Sequence, residues 1–202
     1  VIESPESPLR QRRRAQTRIE IARAALQLFL EKGFDAVTAA EIAARSGVSR
    51  ATFFNYFPRK ELILAEFARS RAERVERLLE SHPRLRPARL VELFSGFGRE
   101  NESQLMSARA LIPPLAARPC VQDAVRPLQE RVISRIASAL AASGSLRAGV
   151  APRTFAETFF AVYKATMLEW AVHPAPPKGW QARTLRRRLS LLASLATIEE
   201  FL

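Results

Sequence analysis

One cysteine, Cys120, in 202 residues excludes an internal disulfide and fits a chain kept in a reducing compartment. Only two histidines occur, His82 and His173, each beside a proline. Neither stands at ligand spacing from Cys120 or from an acidic cluster, so no metal centre and no cofactor is expected. With seven glycines there is no Gly-rich phosphate loop and no nucleophile elbow, which argues against an enzyme. No run approaches the roughly 18 apolar residues that a membrane span needs. The first eight residues are polar and contain prolines, unlike a secretory leader. Clear alternation of apolar and polar residues is missing too, as is any internal repeat, so an all-α fold is expected.

Hydrophobic residues make up 48% of the chain, enough for a sizeable core, and the length allows one or two domains. The net charge of +12 points to an anionic partner. Its distribution is uneven. Residues 1–80 hold 15 Lys and Arg against 11 Asp and Glu, a net of +4, which leaves +8 for residues 81–202. A GC-rich genome would account equally well for the second excess. The local signal is sharper: Arg10, Arg12, Arg13, Arg14 and Arg18 occur with no acid between Glu6 and Glu20.

The most informative stretch is residues 37–61, which read as two short helices and a tight turn. Thr38 is a candidate N-cap with Glu41 three residues on, the spacing of a capping box. Ile42 and Ala43 give the first helix a small apolar face. Gly47 suits the left-handed position that ends it, Val48 plugs the turn, and Ser49 caps the second helix. Phe53 and Phe57, four apart, share one face. Arg50, Ala51, Thr52, Asn55 and Tyr56 fall on the others. Pro58 stops the helix. This is the pattern of a helix-turn-helix whose second helix enters a DNA major groove.

The segment TAAEIAARSGVSRATFFNYFPRKELI resembles the DNA-binding segment of the tetracycline-repressor (TetR) family of bacterial regulators. The likeness runs from about Arg18 to about Phe67; beyond it, only length and helical character agree. The resemblance implies DNA contacts from Thr38, Ser49, Arg50, Ala51, Thr52, Asn55, Tyr56 and Lys60. Arg50 and Thr52 lie in the first turn of the second helix, where such motifs meet base edges. Arg50 is suited to a guanine or to a phosphate, and Asn55 to an adenine or a phosphate. Tyr56, Lys60 and the hydroxyl and N–H of Thr38 match positions that grip phosphates. The family usually has Tyr where this chain has Phe54, and often Gly where it has Ala51. Ala39 and Ala40 lack the longer polar side chains of some members, so base readout is expected to rest on Arg50 and Asn55.

Residues 1–14 are expected to form a basic, disordered arm that either enters a minor groove or stays solvated. Residues 15–82 would form the DNA-binding domain with its linking helix, and 83–202 an effector-binding and dimerisation domain. A first helix is expected over residues 11–32, with Ile19, Ala22, Leu26 and Phe29 inward. A fourth would run from 59 to 81. Gly96 and Gly98 interrupt a helix from Pro87, tolerable where a ligand or a neighbouring backbone comes close. Pro113 and Pro114 break a short segment, and Pro127 kinks or splits a helix over 119–143. The last two helices, over 152–173 and 181–202, are apolar on two sides and so are expected to bury two faces.

The resemblance implies an effector pocket, for which Phe94, Phe97, Met106, Tyr163, Met167 and Trp170 are candidates, although any one of them suits ordinary core packing. The effector is expected to be apolar or aromatic unless Arg99, Glu100, Asn101 or Arg109 points inward. Phe159, Val162, Leu189, Leu192 and Leu195 are candidates for a dimer interface. Arg183, Arg186, Arg187 and Arg188 open the last helix and Glu199 and Glu200 close it. Either they pair across an antiparallel two-fold or they form a solvated face. The expectation is a two-domain, homodimeric, cytoplasmic DNA-binding regulator, nucleoid-associated when bound, and a ligand-responsive repressor of a pseudo-palindromic operator. The competing expectation is a helical protein-interaction module that keeps the motif as scaffold.

Overall fold

The computed structural model describes residues 7–104 and 107–197. Its helices are α1 (Pro8–Lys32), α2 (Ala39–Arg45), α3 (Arg50–Tyr56), α4 (Leu62–Glu80), α5 (Pro87–Gln104), α6 (Ile112–Ala117), α7 (Pro119–Ser143), α8 (Pro152–Val172) and α9 (Trp180–Ala196), with a 3₁₀ turn at Ser107–Leu111. Among the described residues the only extended pairing is a single bridge between Leu146 and Thr197.

The prolines act differently from expectation. Ser7 caps α1 by accepting from the Arg10 N–H, with Pro8 at the first helical position, so residues 8–14 are helix and not a loose arm. Residues 1–6 lie outside the described residues. Pro113 and Pro114 open α6 instead of breaking it, because their missing N–H groups fall in the first turn, where no intrahelical bond is due. Pro127 sits inside an unsplit α7, whose ends are tied into two different cores.

Those two cores organise the fold. One gathers Ile21, Ala25, Leu28, Phe29, Ile42, Phe53, Phe57, Ile63 and Leu64 from α1–α4. The inward stripe of α1 is thus centred on Ile21, Ala25 and Leu28, while Ile19 is exposed. The other core fills the body with Val75, Leu90, Phe94, Ile136, Phe159, Trp170 and Leu189. Helix α4 contributes to both. The first core also takes Leu111, Val121 and Val125 from beyond residue 82. Arg118, between α6 and α7, reaches back to bond Asp35 at 2.5 Å and lies 4.2 Å from the Phe34 ring centre. The two halves therefore share apolar contacts as well as a connecting helix.

Helix α9 ends at Ala196. There Thr197 turns extended, bonds back to the Ala193 carbonyl, and pairs with Leu146. Ile198, Glu199, Glu200 and Leu202, which were expected to continue it, lie outside the described residues.

Candidate nucleic-acid interface

The helix-turn-helix is built by caps and a wedge of aromatics. The Thr38 hydroxyl accepts from the Glu41 N–H at 3.2 Å, and the Glu41 carboxylate accepts from both the N–H and the hydroxyl of Thr38 at 2.8 Å. Gly47 adopts φ 69°, which lets the Val48 N–H turn back to the Ala43 carbonyl at 3.0 Å. The Ser49 hydroxyl caps α3 by accepting from the Thr52 N–H at 3.0 Å. Phe53 and Phe57 are completely buried in the first core. That anchoring turns Arg50, Ala51, Phe54 and Asn55 to solvent, with Thr52 and Tyr56 half-buried beside them.

Arg18 fixes this helix to its neighbours. Its Nε donates to Glu66 at 2.8 Å and its Nη1 to the Tyr56 carbonyl at 2.7 Å, and the guanidinium lies 4.3 Å from the Phe57 ring centre. One side chain thereby ties α1, the end of α3 and α4 together. Burial opposes the charge on Glu66, but hydrogen bonds from Arg69 and Arg18 outweigh it and hold the carboxyl below its usual range.

Beside α3 lies a feature that a disordered arm would not provide. Arg10, Arg13, Arg14 and Thr17 on α1 fall at helical spacing along one face. Together with Thr52, Asn55 and Tyr56 of α3 they line a groove of about 630 Å³. Within it Arg10 and Arg13 have no acidic partner among the described residues. Arg50 sits at the outer edge of α3, 5.7 Å from the Phe54 ring centre, and Phe54 is braced edge-on by Phe53. The Phe in place of the family's Tyr thus forms a shelf for Arg50.

Two expected phosphate contacts are committed elsewhere. Lys60 points its ammonium at the carbonyls of Phe34, Asp35 and Val37, at 3.0, 3.3 and 2.7 Å. Its three protons are used in holding the loop after α1, where the backbone has no helical partners for those carbonyls. The hydroxyl and N–H of Thr38 are taken up by Glu41, as the capping box requires. Lys32 adds a bond to the same carboxylate at 2.7 Å, and these donors hold the Glu41 carboxyl down at about 2. The Thr38 commitment follows from the capping-box spacing, whereas that of Lys60 is not visible from motif spacing, because it depends on where the 33–37 loop folds back.

With this geometry in place, comparison with known proteins is direct. Residues 21–67 match the model of bacterial regulatory proteins of the tetR family. Residues 21–67 therefore carry a DNA-binding segment of the tetR-family type. Thermus thermophilus FadR, a TetR-family transcriptional repressor crystallised with lauroyl-CoA, is 29% identical, with 91% of this chain and 96% of that one covered and a TM-score of 0.68. A TetR-family regulator from Syntrophomonas wolfei (21% identity, 89% and 96% covered, TM-score 0.72) shares the fold. So does Pseudomonas aeruginosa NalD, a repressor of a multidrug efflux pump (20%, 92% and 98%, TM-score 0.63). Among curated proteins none matches the chain. The matched segment is the part by which bacterial regulatory proteins of this family bind DNA.

The body of the protein places the remaining candidates unevenly. A cleft of about 440 Å³ opens between α4, α6, α7 and α8, and Tyr163 and Met167 line it. Phe94 and Trp170 do not: both are fully buried, Phe94 edge-on to Phe159 and Tyr163. Phe97 also packs in that core. Met106 lies outside the described residues. Arg109 turns inward, its guanidinium 6.0 Å from the Trp170 ring centre. The cleft walls that sequence reasoning missed, Phe67, Ile112, Val125 and Val132, come from α4, α6 and α7, whose packing no single helix pattern reveals.

Of the dimer candidates, Phe159 and Leu189 are core residues, and Val162 and Leu192 are half-buried against that core. The reason is one of phase: both helices give their richest apolar stripe to their own domain. The exposed apolar row is instead Leu168 (37% exposed), Val172 (61%), Leu191 (64%) and Leu195 (57%). The pairs 168/172 and 191/195, each four apart, carried the signal. Arg188 is not available to pair across a two-fold, since Glu169 of its own chain holds it at 2.8 Å.

Proposed function

We propose that this protein represses transcription as a homodimer in the cytoplasm, with the α3 of each subunit in successive major grooves of a pseudo-palindromic operator. The observation that carries this reading is the α1–α3 face. Arg10, Arg13 and Arg14 stand beside Thr52, Asn55 and Tyr56 across one groove. Arg50 and Asn55 would read bases. The helical start of α1 would grip the flanking phosphates, in place of a minor-groove arm. Lys60 and Thr38 would shape the site without touching DNA. The row Leu168, Val172, Leu191 and Leu195 would be covered by the same row of a second subunit, as an isologous interface requires. Residues 15–82 would serve as the DNA-binding unit and 83–202 as the effector and dimer unit, with α4 common to both.

The effector would occupy the cleft between α4, α6, α7 and α8, where apolar side chains predominate. Its volume falls in the range of about 300–1,000 Å³ typical of ligand sites. The Thermus thermophilus relative was crystallised with lauroyl-CoA, a ligand with a long apolar chain. A broader, shallower cleft of about 740 Å³ on the other side of α4 is rimmed by exposed arginines and touches only the body, which makes it the weaker choice. A ligand in the first cleft presses on Phe67, and its neighbour Glu66 holds Arg18. A shift of α4 would therefore pull on α1 and α3 together and change the separation of the two reading heads.

Selection of bound duplexes from a random pool, with the salt dependence of the winners, tests this. The expected result is an inverted repeat. Arg50→Ala should cost about 1–3 kcal/mol and relax one base position per half-site. Weak binding with no enriched sequence would refute operator recognition and favour an interaction module.

A further inference from the structure

The cleft has a charge pattern as well as an apolar wall. Among the described residues that line it none is acidic. Two are cationic, Arg71 of α4 and Lys164 of α8, and they flank an aromatic rim. Arg71 Nη2 donates to the Tyr163 hydroxyl at 3.4 Å, and the Lys164 ammonium lies 5.9 Å from the Phe160 ring centre. The rings of Phe160 and Tyr163 are 6.0 Å apart, so each cation lies beside one ring of an aromatic pair. Lys164 donates to the neutral Gln129 carbonyl at 3.0 Å and has no carboxylate partner among the described residues. Most lysines and arginines on a protein surface gain little from their neighbours because water screens them. Here a ligand that fills the cleft displaces that water and leaves the Lys164 charge without a counter-ion. A neutral ligand pays this desolvation in full, a cationic one adds repulsion, and an anionic one offsets it.

Resting on the effector reading above, we infer that the cleft selects amphiphilic monoanions: a carboxylate on an aliphatic or aromatic body, with the head at Arg71 and Lys164 and the body against Phe67, Val75, Ile112 and Val132. The pattern also predicts which ligands are refused. Hydrophobic cations of equal size would meet the like charge of Lys164 and no acid among the described lining residues.

The test compares three ten-carbon probes: decanoate, 1-decanol and decyltrimethylammonium. Each is titrated calorimetrically below its micelle-forming concentration, near neutral pH where the carboxylate is ionised. Each is then tested for release of the selected operator duplex. Decanoate should bind at least about tenfold more tightly than decanol, and the cation most weakly. In Lys164→Met, which keeps the stem but removes the charge, the advantage of decanoate over decanol should shrink about tenfold while decanol is held as before. Decanol equal to decanoate, or the cation preferred, would overturn the charge selection while leaving the cleft as an effector site. Decanoate bound with the expected preference but without DNA release would leave the selection standing and refute the effector reading. No binding by any probe would overturn both.

Discussion

Gly96 and Gly98 lie on the same helix two residues apart, yet replacing them by alanine should have opposite effects. A Cβ at Gly96 would meet only the far end of Arg99, at 3.6 Å, which is ordinary contact. Removing a helical glycine there gains up to about 1 kcal/mol from helix propensity and a less flexible unfolded chain. A Cβ at Gly98 would lie 3.0 Å from Leu185 Cδ1 and 3.1 and 3.2 Å from the Cα and N of Ala182. The last two are backbone atoms of α9, which cannot swing aside as a side chain can. α5 and α9 would have to separate by several tenths of an ångström along a contact that buries Phe94, Leu185 and Leu189. Overpacking of this kind costs about 1–3 kcal/mol, offset by the same propensity gain of up to about 1 kcal/mol. The net expectation is a stabilisation of about 0.5–1 kcal/mol for Gly96→Ala and a destabilisation of about 1–2 kcal/mol for Gly98→Ala. For a chain of this size each kcal/mol moves Tm by about 2–4 °C. Thermal melts at one fixed protomer concentration should therefore show Gly96→Ala melting above the parent and Gly98→Ala below it. A Gly98→Ala protein as stable as Gly96→Ala would refute the close-approach argument and with it the packing of α9 on α5.

Acid should open the α2 cap at a defined point. The Glu41 carboxyl is held at about 2 against an ordinary 4.5 by its bonds from Lys32 and Thr38, so its contribution is complete above 4.5 and is lost as pH falls through about 2. Carboxyl NMR shifts of Glu41 that titrate near 4.5 would refute that network. Lys60→Met keeps the stem but leaves three carbonyls without their donor, and chemical denaturation should show a loss of about 2–3 kcal/mol. An unchanged midpoint would mean that the ammonium is free for other partners. Leu191→Glu with Leu195→Glu should give a folded monomer by sedimentation and weaken operator binding by more than tenfold, because one subunit then binds one half-site. A surviving dimer would place the interface elsewhere.

The sequence revealed the helix-turn-helix because every signal there is local. A capping box spans three residues, the Gly47 turn is one residue, and Phe53 and Phe57 are four apart. The same holds for the long helices of the body, whereas which of the two close glycines meets a neighbouring backbone is settled only by the packing of α9 on α5. What could not be read depends on distant pairing. Lys60 looks like a phosphate ligand until the 33–37 loop is known to lie against it. Phe159 and Leu189 look like interface residues until α5 and α7 are known to cover them. The helical start of α1 is hidden for a different reason: Ser7-Pro8 is a cap and first-turn pair, but a stretch of arginines beyond it reads as a solvated tail.

The division into a DNA-binding unit and an effector unit also changes meaning in three dimensions. The core behind α3 includes Leu111, Val121 and Val125, and Arg118 ties the α6–α7 junction to Asp35. Val125 is also a wall of the cleft between α4, α6, α7 and α8. The reading head is therefore held by two routes, Glu66 of α4 and the start of α7, and the cleft lies between them. A ligand that spreads α4 from α7 acts on both anchors at once and needs no long chain of contacts to reach α3. Because packed cores shift between discrete arrangements, a small displacement at this joint would move the head as a unit. If a ligand releases the operator as proposed, thermodynamic reciprocity requires operator DNA to weaken ligand binding by the same factor. A substitution at the joint, such as Val125→Ala, should lower that shared factor while leaving the residues that touch DNA unchanged.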